Sequence, residues 1–546
     1  MDKSQSKIHK TWVVYPIFLA AFPVFALYYH NASEILPWVF VKPLIASLVL
    51  AALIFVAAKL LLRDWHKAGL LTAFSLFVIF SHGHIHSALA YRFENLFAQG
   101  QYKFFGFLSL GIDDILVSVW AVFGLTLLVF LWPTKSSLAA GGRTRHDLAP
   151  VTKFLNFVSI FLFLVPTVTS AFYKIANIRP QALQEIDSQI DQEIPLNVSE
   201  GAIKPDIYYI ILDRYGGERT MDLYGLNNSE FLNFLTKKGF YVAHQSTMNY
   251  PRTLPSLASS LNMNYINFLA DIAGDSTSDQ TFAYPLVDKH KVGELLKSQG
   301  YRYLHLGSWF EPTKVSTIAD QNFLTRDQFL GLDGFSAEFF QTTLFAPVVR
   351  RLSSRTASFE FDIQHRNRIL DQFDNLEKIP SFDSPKFIFA HILLPHDPYV
   401  FGKNCEELSS TAKASVPSYL AHVSCANQKT EKLVETILAS SKTPPIIVIQ
   451  ADEGPYNMIY PMPKGRFNFK DASDDTLNER FPILNALYLP GVDTSDLYFS
   501  MTPVNTFRFI FNKYFGANLE LLPDKNYVYQ DEDHFYKFIE VTDRLR

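Results

Sequence analysis

Three apolar runs of the chain end on side chains that can bind a cation or move a proton. "DIYYIILD" ends on Asp213, "KFIFAHILLPHDPY" carries His391 and His396, and "IIVIQADEG" ends on Asp452 and Glu453. The runs are short and rich in aliphatic residues, which is typical of buried parallel strands. Carboxylates and imidazoles bind divalent metal ions, so these residues predict a metal site assembled from distant parts of the chain.

Two of these positions allow a second interpretation. Asp452 and Glu453 are adjacent, and adjacent carboxylates after a strand form either a solvated turn or part of a metal site. His391 lies within its predicted strand. A structural role and a role in the site are equally compatible with this position, because a buried histidine has a hydrogen-bond partner whether or not it belongs to the site.

A nucleophile is offered by "TLPSLASSLN", which starts at Thr253. The segment predicts a helix, and a hydroxyl at its first residue lies near free backbone N–H groups and the positive end of the helix dipole. Bound to a metal ion, such a hydroxyl becomes acidic enough to attack an anionic substrate. The alternative is an ordinary threonine N-cap, which accounts for most threonines at this position.

These groups must be positioned by a chain of 546 residues whose apolar content, 48% overall, is concentrated in its first third. Each of five stretches there is about as long as the 17–25 residues that cross a bilayer as a helix. We therefore predict five transmembrane spans in a domain of residues 1–177. The stretches are 11–29, 37–62, 69–90, 108–133 and 152–174.

The orientation of the spans follows from the basic residues. Lysines and arginines are concentrated before the first span, between the second and third, and between the fourth and fifth. The positive-inside rule places these segments in the cytoplasm, so everything after about residue 175 is predicted to lie outside. The residues are Lys3, Lys7, Lys10, Arg63, Lys67, Lys135, Arg143, Arg145 and Lys153.

The third stretch contains "SHGHIHSALAYR", with His82, His84 and His86. Ionisable groups inside a membrane are energetically expensive and indicate a function such as contact with a lipid headgroup or a metal. The alternative is a position at the outer interface, near the end of the helix.

Residues 178–204 are polar and acidic, with apolar residues at helical spacing, and predict an amphipathic linker. From 205 to 546, short strand-like runs alternate with helical segments. This alternation predicts an α/β domain with a mostly parallel central sheet flanked by helices. In such sheets the reacting groups collect beyond the carboxyl ends of the strands. Cys405 and Cys425 both lie in this external domain, where an oxidising compartment permits a disulfide.

The order of "YYIILDRYG", "TLPSLASSLN", "PHDPYVF" and "QADEGP" resembles the alkaline phosphatase and sulfatase superfamily. Residues 253–256, Thr-Leu-Pro-Ser, resemble the sulfatase signature C/S-x-P-S-R, with Leu257 in place of the arginine. The formylglycine of sulfatases is made from cysteine or serine, so Thr253 argues against sulfate ester hydrolysis. Threonine nucleophiles occur in the phosphoryl-transferring branches. Among them, lipoteichoic acid synthases and phosphoethanolamine transferases also place about five spans before an external catalytic domain.

The resemblance implies a role for individual residues. Asp213, Thr253 and Asp452 match metal ligands, with Thr253 also the nucleophile. The usual Asp-His-Gly motif is Asp-Glu-Gly here, so we predict that Glu453 is a ligand and that Mn²⁺ or Mg²⁺ is preferred, with Zn²⁺ or Ca²⁺ as alternatives. His396 matches the histidine that contacts the transferred group or its leaving oxygen. The predicted substrate-binding residues are His305, Trp309, His391 and Arg252.

The function expected from this resemblance is transfer of a phosphoryl-linked group, of the phosphoglycerol or phosphoethanolamine type, from a membrane lipid to an envelope glycan or lipid. The alternatives are a phosphodiesterase, phosphatase or sulfatase-like hydrolase, and a non-catalytic member that binds an envelope polymer. We expect a multi-pass protein of the bacterial cytoplasmic membrane, with its C-terminal domain in the periplasm or outside the cell. No nucleic-acid partner is expected.

Overall fold

The computed structural model describes residues 11–92, 102–104, 108–132, 148–177, 184–186, 188, 193–198, 203–323, 334–352, 361–462 and 467–545. The chain forms two compact units. One consists of residues 1–178 together with 332–357, and the other of 179–331 together with 358–546. Most of the predicted linker 178–204 and the basic residues at 3–10 and 135–145 lie outside the described residues.

The first unit is built on five apolar helices. Four of them are long and apolar enough to cross a membrane. The first helix has 16 residues, and at 1.5 Å per residue it is about 24 Å long, shorter than the ~30 Å hydrocarbon core. The structure therefore has four clear candidate spans among the described residues where the sequence predicted five. The helices are α1 Tyr15–His30, α2 Val41–Leu62, α3 Trp65–Arg92, α4 Ile112–Leu131 and α5 Ala149–Asn177.

The helix α1 nevertheless packs within the bundle. Its residues Phe18 and Phe25 contact Phe163 of α5, with ring centroids 5.4 and 5.3 Å apart. Tyr15 and Val24 are buried. A short hairpin, β1 Tyr102–Phe104 and β2 Leu108–Leu110, precedes α4.

The membrane topology can be tested with reporter fusions. Because α5 separates Lys135 from Lys204, reporters fused after these two residues are expected on opposite sides of the membrane, with Lys135 in the cytoplasm. Phosphatase and fluorescent-protein activities of the two fusions measure this. A cytoplasmic signal from both fusions would contradict the orientation, and a tag before Trp12 reports independently whether α1 crosses.

The first unit also includes a segment that lies far along the chain. Residues 334–352 form α13 Gly334–Gln341 and α14 Phe345–Leu352, and Phe335 and Phe339 belong to a buried cluster with residues of α1, α2 and α3. This segment was included in the predicted domain 205–546, but by its contacts it groups with the apolar helices.

The segment is attached to α3 through the backbone. Gly83 N donates to Thr342 O (3.0 Å), and Leu344 N donates to Ile79 O (2.8 Å). A Cβ atom on Gly83 would lie 2.7 Å from Thr342 O and 2.8 Å from Thr342 Cα. Glycine at position 83 therefore permits the close approach of the two backbones.

The second unit has a central seven-stranded sheet with the strand order β4-β11-β10-β3-β7-β5-β6. The five strands from β10 to β6 are parallel to one another, β11 pairs antiparallel with β10, and β4 pairs antiparallel with β11. The predicted fold class, a mostly parallel α/β domain after a helical membrane domain, is thus confirmed. The strands are β3 Ile207–Leu212, β4 Tyr241–Val242, β5 Arg302–Leu306, β6 Gln321–Asn322, β7 Lys386–Ile392, β10 Ile446–Gln450 and β11 Asn485–Tyr488.

The three strands with the predicted site residues are neighbours in this sheet. Every residue of β3, β7 and β10 is buried, as expected for central strands covered by helices on both faces. Ile211 of β3 pairs with His391 of β7 and with Gln450 of β10. This register brings the carboxyl ends of the three strands to one point on the sheet edge.

Helices connect and cover the strands. They are α6 Glu218–Leu223, α7 Ser229–Lys237, α8 Thr253–Asn262, α9 Leu269–Ala273, α10 Tyr284–Asp288, α11 Lys291–Ser298, α12 Glu311–Lys314, α15 Phe361–Lys378, α16 Val416–Ser440, α17 Asp474–Arg480 and α18 Pro503–Phe515. Two further hairpin pairs are β8 Tyr399–Phe401 with β9 Glu407–Ala412, and β12 Tyr527–Tyr529 with β13 Phe538–Glu540. Short 3₁₀ helices are Gln280–Ala283, Ile379–Ser381, Phe469–Asp471, Glu532–His534 and Thr542–Arg544.

The expected disulfide is present in this unit. Cys405 and Cys425 are bonded, 20 residues apart in sequence, and their Cα atoms are 4.7 Å apart. Closing a loop of this size restricts the unfolded chain, so Cys405→Ser is expected to lower the free energy of unfolding by roughly 3 kcal/mol. Denaturant titration of both proteins under non-reducing conditions measures the change. An unchanged midpoint would show that the bridge contributes nothing to stability.

Candidate active site

Asp213, His391 and Asp452 meet at the carboxyl edge of the sheet. One ligand atom from each lies within 4.8 Å of the other two, and all three side chains are buried. His391 Nε2 is 3.1 Å from Asp213 Oδ2. Asp213 and Asp452 follow the neighbouring strands β3 and β10, which explains why residues separated in sequence come together here.

The three residues fit a divalent metal ion. Asp213 Oδ1 and Asp452 Oδ2 are buried and have no hydrogen-bond partner among the described residues. Buried carboxylate oxygens are normally paired with a donor or a cation, so both oxygens are available as ligands. Two carboxylates and one imidazole form a set of mixed oxygen and nitrogen ligands, which suits Zn²⁺ and Mn²⁺ better than an oxygen-only set does.

The carboxylates of the cluster are buried close together, and this changes their pKa values. Burial raises the pKa of Asp213 well above its ordinary value, with Arg214 opposing the shift and Glu453 adding to it. The pKa of Asp452 is raised to about 8, mainly by burial and then by the neighbouring Asp213. The hydrogen bond with the Thr253 hydroxyl opposes this shift but does not cancel it. Close carboxylates disfavour joint ionisation, and a bound cation removes that penalty.

The imidazole of His391 is held in orientation from its far side. Its Nδ1 is 2.7 Å from Thr313 Oγ1 in α12, which leaves Nε2 facing Asp213. Burial lowers the pKa of His391 to about 4, so the ring is neutral at physiological pH, as a metal ligand must be. A hydrogen bond to the second nitrogen is the usual means of fixing a ligand histidine.

Thr253 is the first residue of α8, and the preceding residue, Arg252, has extended backbone at the N-cap position. The hydroxyl of Thr253 therefore stands at the positive end of the helix dipole. The helix itself is held against the cluster, because Ser256 Oγ donates to the carbonyl of Asp452 (2.6 Å). These contacts put a hydroxyl beside Asp452.

Glu453 lies between two arginines. Its Oε1 accepts a hydrogen bond from Arg214 Nε (3.1 Å) and its Oε2 accepts one from Arg480 Nη2 (2.5 Å). All three side chains are nearly inaccessible to solvent. Glu453 was predicted to be a metal ligand, but the structure engages both of its oxygens in ion pairs and brings His391 into the cluster.

Gly454 is required by the same arrangement. A Cβ atom at this position would lie 1.9 Å from Arg480 O, so any side chain would displace the residue that pairs with Glu453. Each residue of the Asp-Glu-Gly sequence thus has a distinct contact. Asp452 faces the cluster, Glu453 pairs with two arginines, and Gly454 allows the close approach of the Arg480 backbone.

Arg214 also connects the cluster to the segment that contains His396. Its Nη1 donates to Asp397 Oδ1 (2.7 Å), and its guanidinium lies 3.5 Å from the centroid of the Tyr456 ring. The residue has a positive φ of 63°, a conformation that costs a non-glycine residue free energy and is common at functional sites.

His396 lies beside these residues. Its Nδ1 bonds to the carbonyl of Asp397, which places the hydrogen on Nδ1 and leaves Nε2 as an acceptor. Burial, and then the charge of Arg214, lower the pKa of His396 well below its ordinary value, so the ring is neutral. Trp309 contacts the His396 ring with centroids 5.9 Å apart, and its indole N–H donates to His365 Nδ1 (3.0 Å).

Two of the predicted substrate-binding residues are engaged elsewhere. His305 is buried, with Nδ1 3.1 Å from Tyr303 Oη and Nε2 2.8 Å from Thr313 O, so both ring nitrogens have partners within the domain. The guanidinium of Arg252 lies over the Phe467 ring, 4.4 Å from its centroid. Cation–π contact of this kind packs the arginine against the domain.

The residues of the candidate site that the sequence did not reveal are Arg214, Arg480 and Thr313. Arg214 directly follows Asp213, and this adjacency was the one available signal. Arg480 and Thr313 lie far from the motifs in sequence, at the end of α17 and in α12, and only the fold brings them to Glu453 and His391.

Comparison with known proteins assigns the family. The family model named Sulfatase matches residues 205–480, half of the chain and the part that carries Asp213, Thr253, His391 and Asp452. The protein is therefore an enzyme of the alkaline phosphatase and sulfatase superfamily, and it belongs to the sulfatase family. This confirms the resemblance seen in the sequence motifs. No curated protein matches the chain.

Three solved structures of bacterial proteins show what this chain is similar to. The C-terminal periplasmic domain of EcEptC from Escherichia coli has 13% identity and a TM-score of 0.41, covering 65% of this chain and 98% of its own. The lipooligosaccharide phosphoethanolamine transferase A (EptA) from Neisseria meningitidis has 12% identity and a TM-score of 0.37, covering 91% and 94%. The putative sulfatase yidJ from Bacteroides fragilis has 14% identity and a TM-score of 0.37, covering 61% and 83%.

Proposed function

We propose that the protein transfers a phosphoryl-linked group, of the phosphoethanolamine or phosphoglycerol type, from a membrane lipid to an envelope glycan or lipid. The observation that carries this proposal is the hydroxyl of Thr253 at a helix N-terminus, beside Asp452 of a buried Asp-His-Asp cluster. A threonine cannot be the precursor of formylglycine, which is made from cysteine or serine, so the position favours phosphoryl transfer over sulfate ester hydrolysis.

The reaction then has two displacements. Thr253 Oγ loses its proton and forms a bond to phosphorus while the bond from phosphorus to the diacylglycerol oxygen of the donor breaks. The departing oxygen takes up a proton, so the products are diacylglycerol and a covalent phosphothreonine diester. A hydroxyl of the acceptor next loses its proton and attacks the same phosphorus, and the released oxygen of Thr253 takes a proton back. Asp213, His391 and Asp452 would hold a divalent ion, which supplies positive charge to the phosphoryl oxygens when bound.

His396 is suited to the second displacement. Because its Nδ1–H is used by the Asp397 carbonyl, the free Nε2 of the neutral ring can accept the proton of the incoming hydroxyl. Arg214 and Arg480 place positive charge close to the cluster, and Glu453 balances that charge so that it remains buried.

The long apolar helices support a lipid substrate. They anchor the catalytic unit to a bilayer, and the proposed location is the cytoplasmic membrane with residues 205–546 outside the cytoplasm. A donor dissolved in that bilayer is then present at high local concentration.

Product analysis tests this proposal. Full-length protein in liposomes that contain phosphatidylethanolamine or phosphatidylglycerol with a ¹⁴C-labelled headgroup is incubated with Mn²⁺ or Zn²⁺, with and without a glycolipid acceptor. A transferase labels the acceptor, whereas a hydrolase releases the same soluble phosphoester in both reactions. Release of sulfate from an aryl sulfate, without movement of the labelled headgroup, would overturn the proposal.

A further inference from the structure

The helical unit contains a cleft of about 500 Å³ that the proposed reaction does not explain. It is formed by α1 and α3, with contributions from Leu162 of α5 and from Thr342 of the segment that follows α13. A cleft of this size accommodates an organic ligand rather than a few water molecules.

The polarity of the cleft changes along its length. Gly69 of α3 lies against Val13 and Tyr15 near the start of α1, so the two helices run in the same direction. Lining residues proceed on α1 from Leu19 to His30, and on α3 from Ala73 to His84. At 1.5 Å per residue each path is about 17 Å long.

The apolar part and the polar part of the cleft are separate. On α1 the lining residues are apolar from Leu19 to Leu27, and only the last, His30, is polar. On α3 they are apolar from Ala73 to Phe80, followed by Ser81 and His84. The cleft is therefore amphipathic along the axis of the helices, like a lipid molecule that stands in a leaflet.

The polar end offers groups that can bind an anion. Ser81 Oγ is buried and has no hydrogen-bond partner among the described residues, so a hydroxyl donor is available there. His30 is the last residue of α1, and His84 is exposed on α3. Imidazole N–H and hydroxyl groups donate hydrogen bonds to phosphate oxygens.

We propose that this cleft binds one phospholipid, with an acyl chain along Leu19–Leu27 of α1 and the phosphodiester at Ser81, His30 and His84. The helices that form it are apolar and long enough to stand in a bilayer, where phospholipid is the abundant ligand with this polarity. The inference concerns the helical unit and uses none of the residues assigned to the reaction.

The segment 334–352 contributes to the cleft. Thr342 lines the cleft, and its carbonyl accepts the hydrogen bond from Gly83 N, one residue before His84. The docked segment thus forms part of the wall at the polar end. The sequence allowed two interpretations of the histidines at 82–86, a functional contact such as one with a lipid headgroup, or a position at the outer interface. For His84 the proposal takes the first, contact with a lipid headgroup.

Photolabelling tests the proposal. Full-length protein is placed in vesicles that contain a phosphatidylethanolamine with a diazirine in its acyl chain, and labelled peptides are identified by mass spectrometry. We expect label on residues 19–27 and 73–80. Ala26→Trp fills the cleft and should lower this labelling about tenfold, corresponding to roughly 1.4 kcal/mol of binding free energy. Leu53→Trp, at a side chain that is 64% exposed on α2, is the matched control and should label normally.

A double variant, labelled with two different lipid probes, tests the polar end of the cleft. The double variant His30→Ala/His84→Ala should keep the label from a diacylglycerol probe that lacks phosphate but lose the preference for the phospholipid probe. Uniform labelling of all helices, unaffected by Ala26→Trp and by the double variant, would overturn the proposal. Repeating the labelling in Thr253→Ala separates the two questions, because lipid binding should remain in that variant even though transfer is absent.

Discussion

Thr253→Ala is expected to lower group transfer at least about 10³-fold, because removal of a nucleophile leaves only the catalysis that comes from binding and electrostatics. The protein should stay folded. Thr253 is the first helical residue and not the N-cap, so the substitution should cost no more than the ~1 kcal/mol of a lost cap. Turnover of a labelled lipid donor and the denaturation midpoint measure the two effects.

The same residue should carry the covalent intermediate. Mass spectrometry of the wild-type protein, quenched in acid after mixing with donor, is expected to show a phosphodiester on the peptide that contains Thr253. Ser259→Ala is the matched control, since Ser259 lies on the same helix and donates to Asn264 O (2.8 Å). Ser259→Ala should retain activity. Near-normal turnover in Thr253→Ala would contradict the role of Thr253 as nucleophile and would mean that the residue only helps to form the start of the helix.

The second large effect concerns metal binding. His391→Ala is expected to weaken binding of Zn²⁺ or Mn²⁺ more than about 100-fold, because it removes one of the three proposed ligands, whereas loss of a contact to a ligand typically costs 10–100-fold. Thr313→Val, which removes the hydroxyl beside His391 Nδ1, should fall within that smaller range. Isothermal titration calorimetry with each ion measures the metal affinity of the wild-type protein and of the two variants.

Glu453→Gln separates the two possible roles of the glutamate. If Glu453 pairs with Arg214 and Arg480, the variant should keep its metal affinity within a few-fold. Its free energy of unfolding should fall by about 3–5 kcal/mol, because the buried Arg480 loses its counter-charge and Arg214 keeps the ion pair with Asp397 but loses the one with Glu453. If the residue is a ligand, metal binding should fall as in His391→Ala. Metal titration combined with denaturant unfolding distinguishes the two results.

The sequence indicated where the candidate site lies better than it indicated which side chains meet there. Asp213 and Asp452 could be predicted because residues that follow central parallel strands share one edge of the sheet. His391 was ambiguous because its role depends on the register, which pairs it with Ile211. The ion pairs of Glu453 with Arg214 and Arg480 could not be predicted, because adjacency in sequence does not fix side-chain direction and the two arginines come from separate parts of the chain.

The same distinction applies to the fold. Alternation of apolar runs and helical segments was sufficient for the α/β class, and runs of apolar residues located the membrane helices. The grouping of residues 334–352 with those helices could not be predicted, because it depends on two backbone hydrogen bonds and on the absence of a side chain at Gly83. Backbone contacts of this kind leave no periodic pattern in the sequence.

The docked segment has a practical consequence for producing the catalytic unit as a soluble protein. A truncation that begins at residue 205 would still contain Phe335 and Phe339, which are buried against α1, α2 and α3 in the full chain. Without these helices the two rings would be exposed and would favour aggregation. Replacing residues 332–357 with a short glycine-serine linker should therefore yield more monomeric protein than the simple truncation.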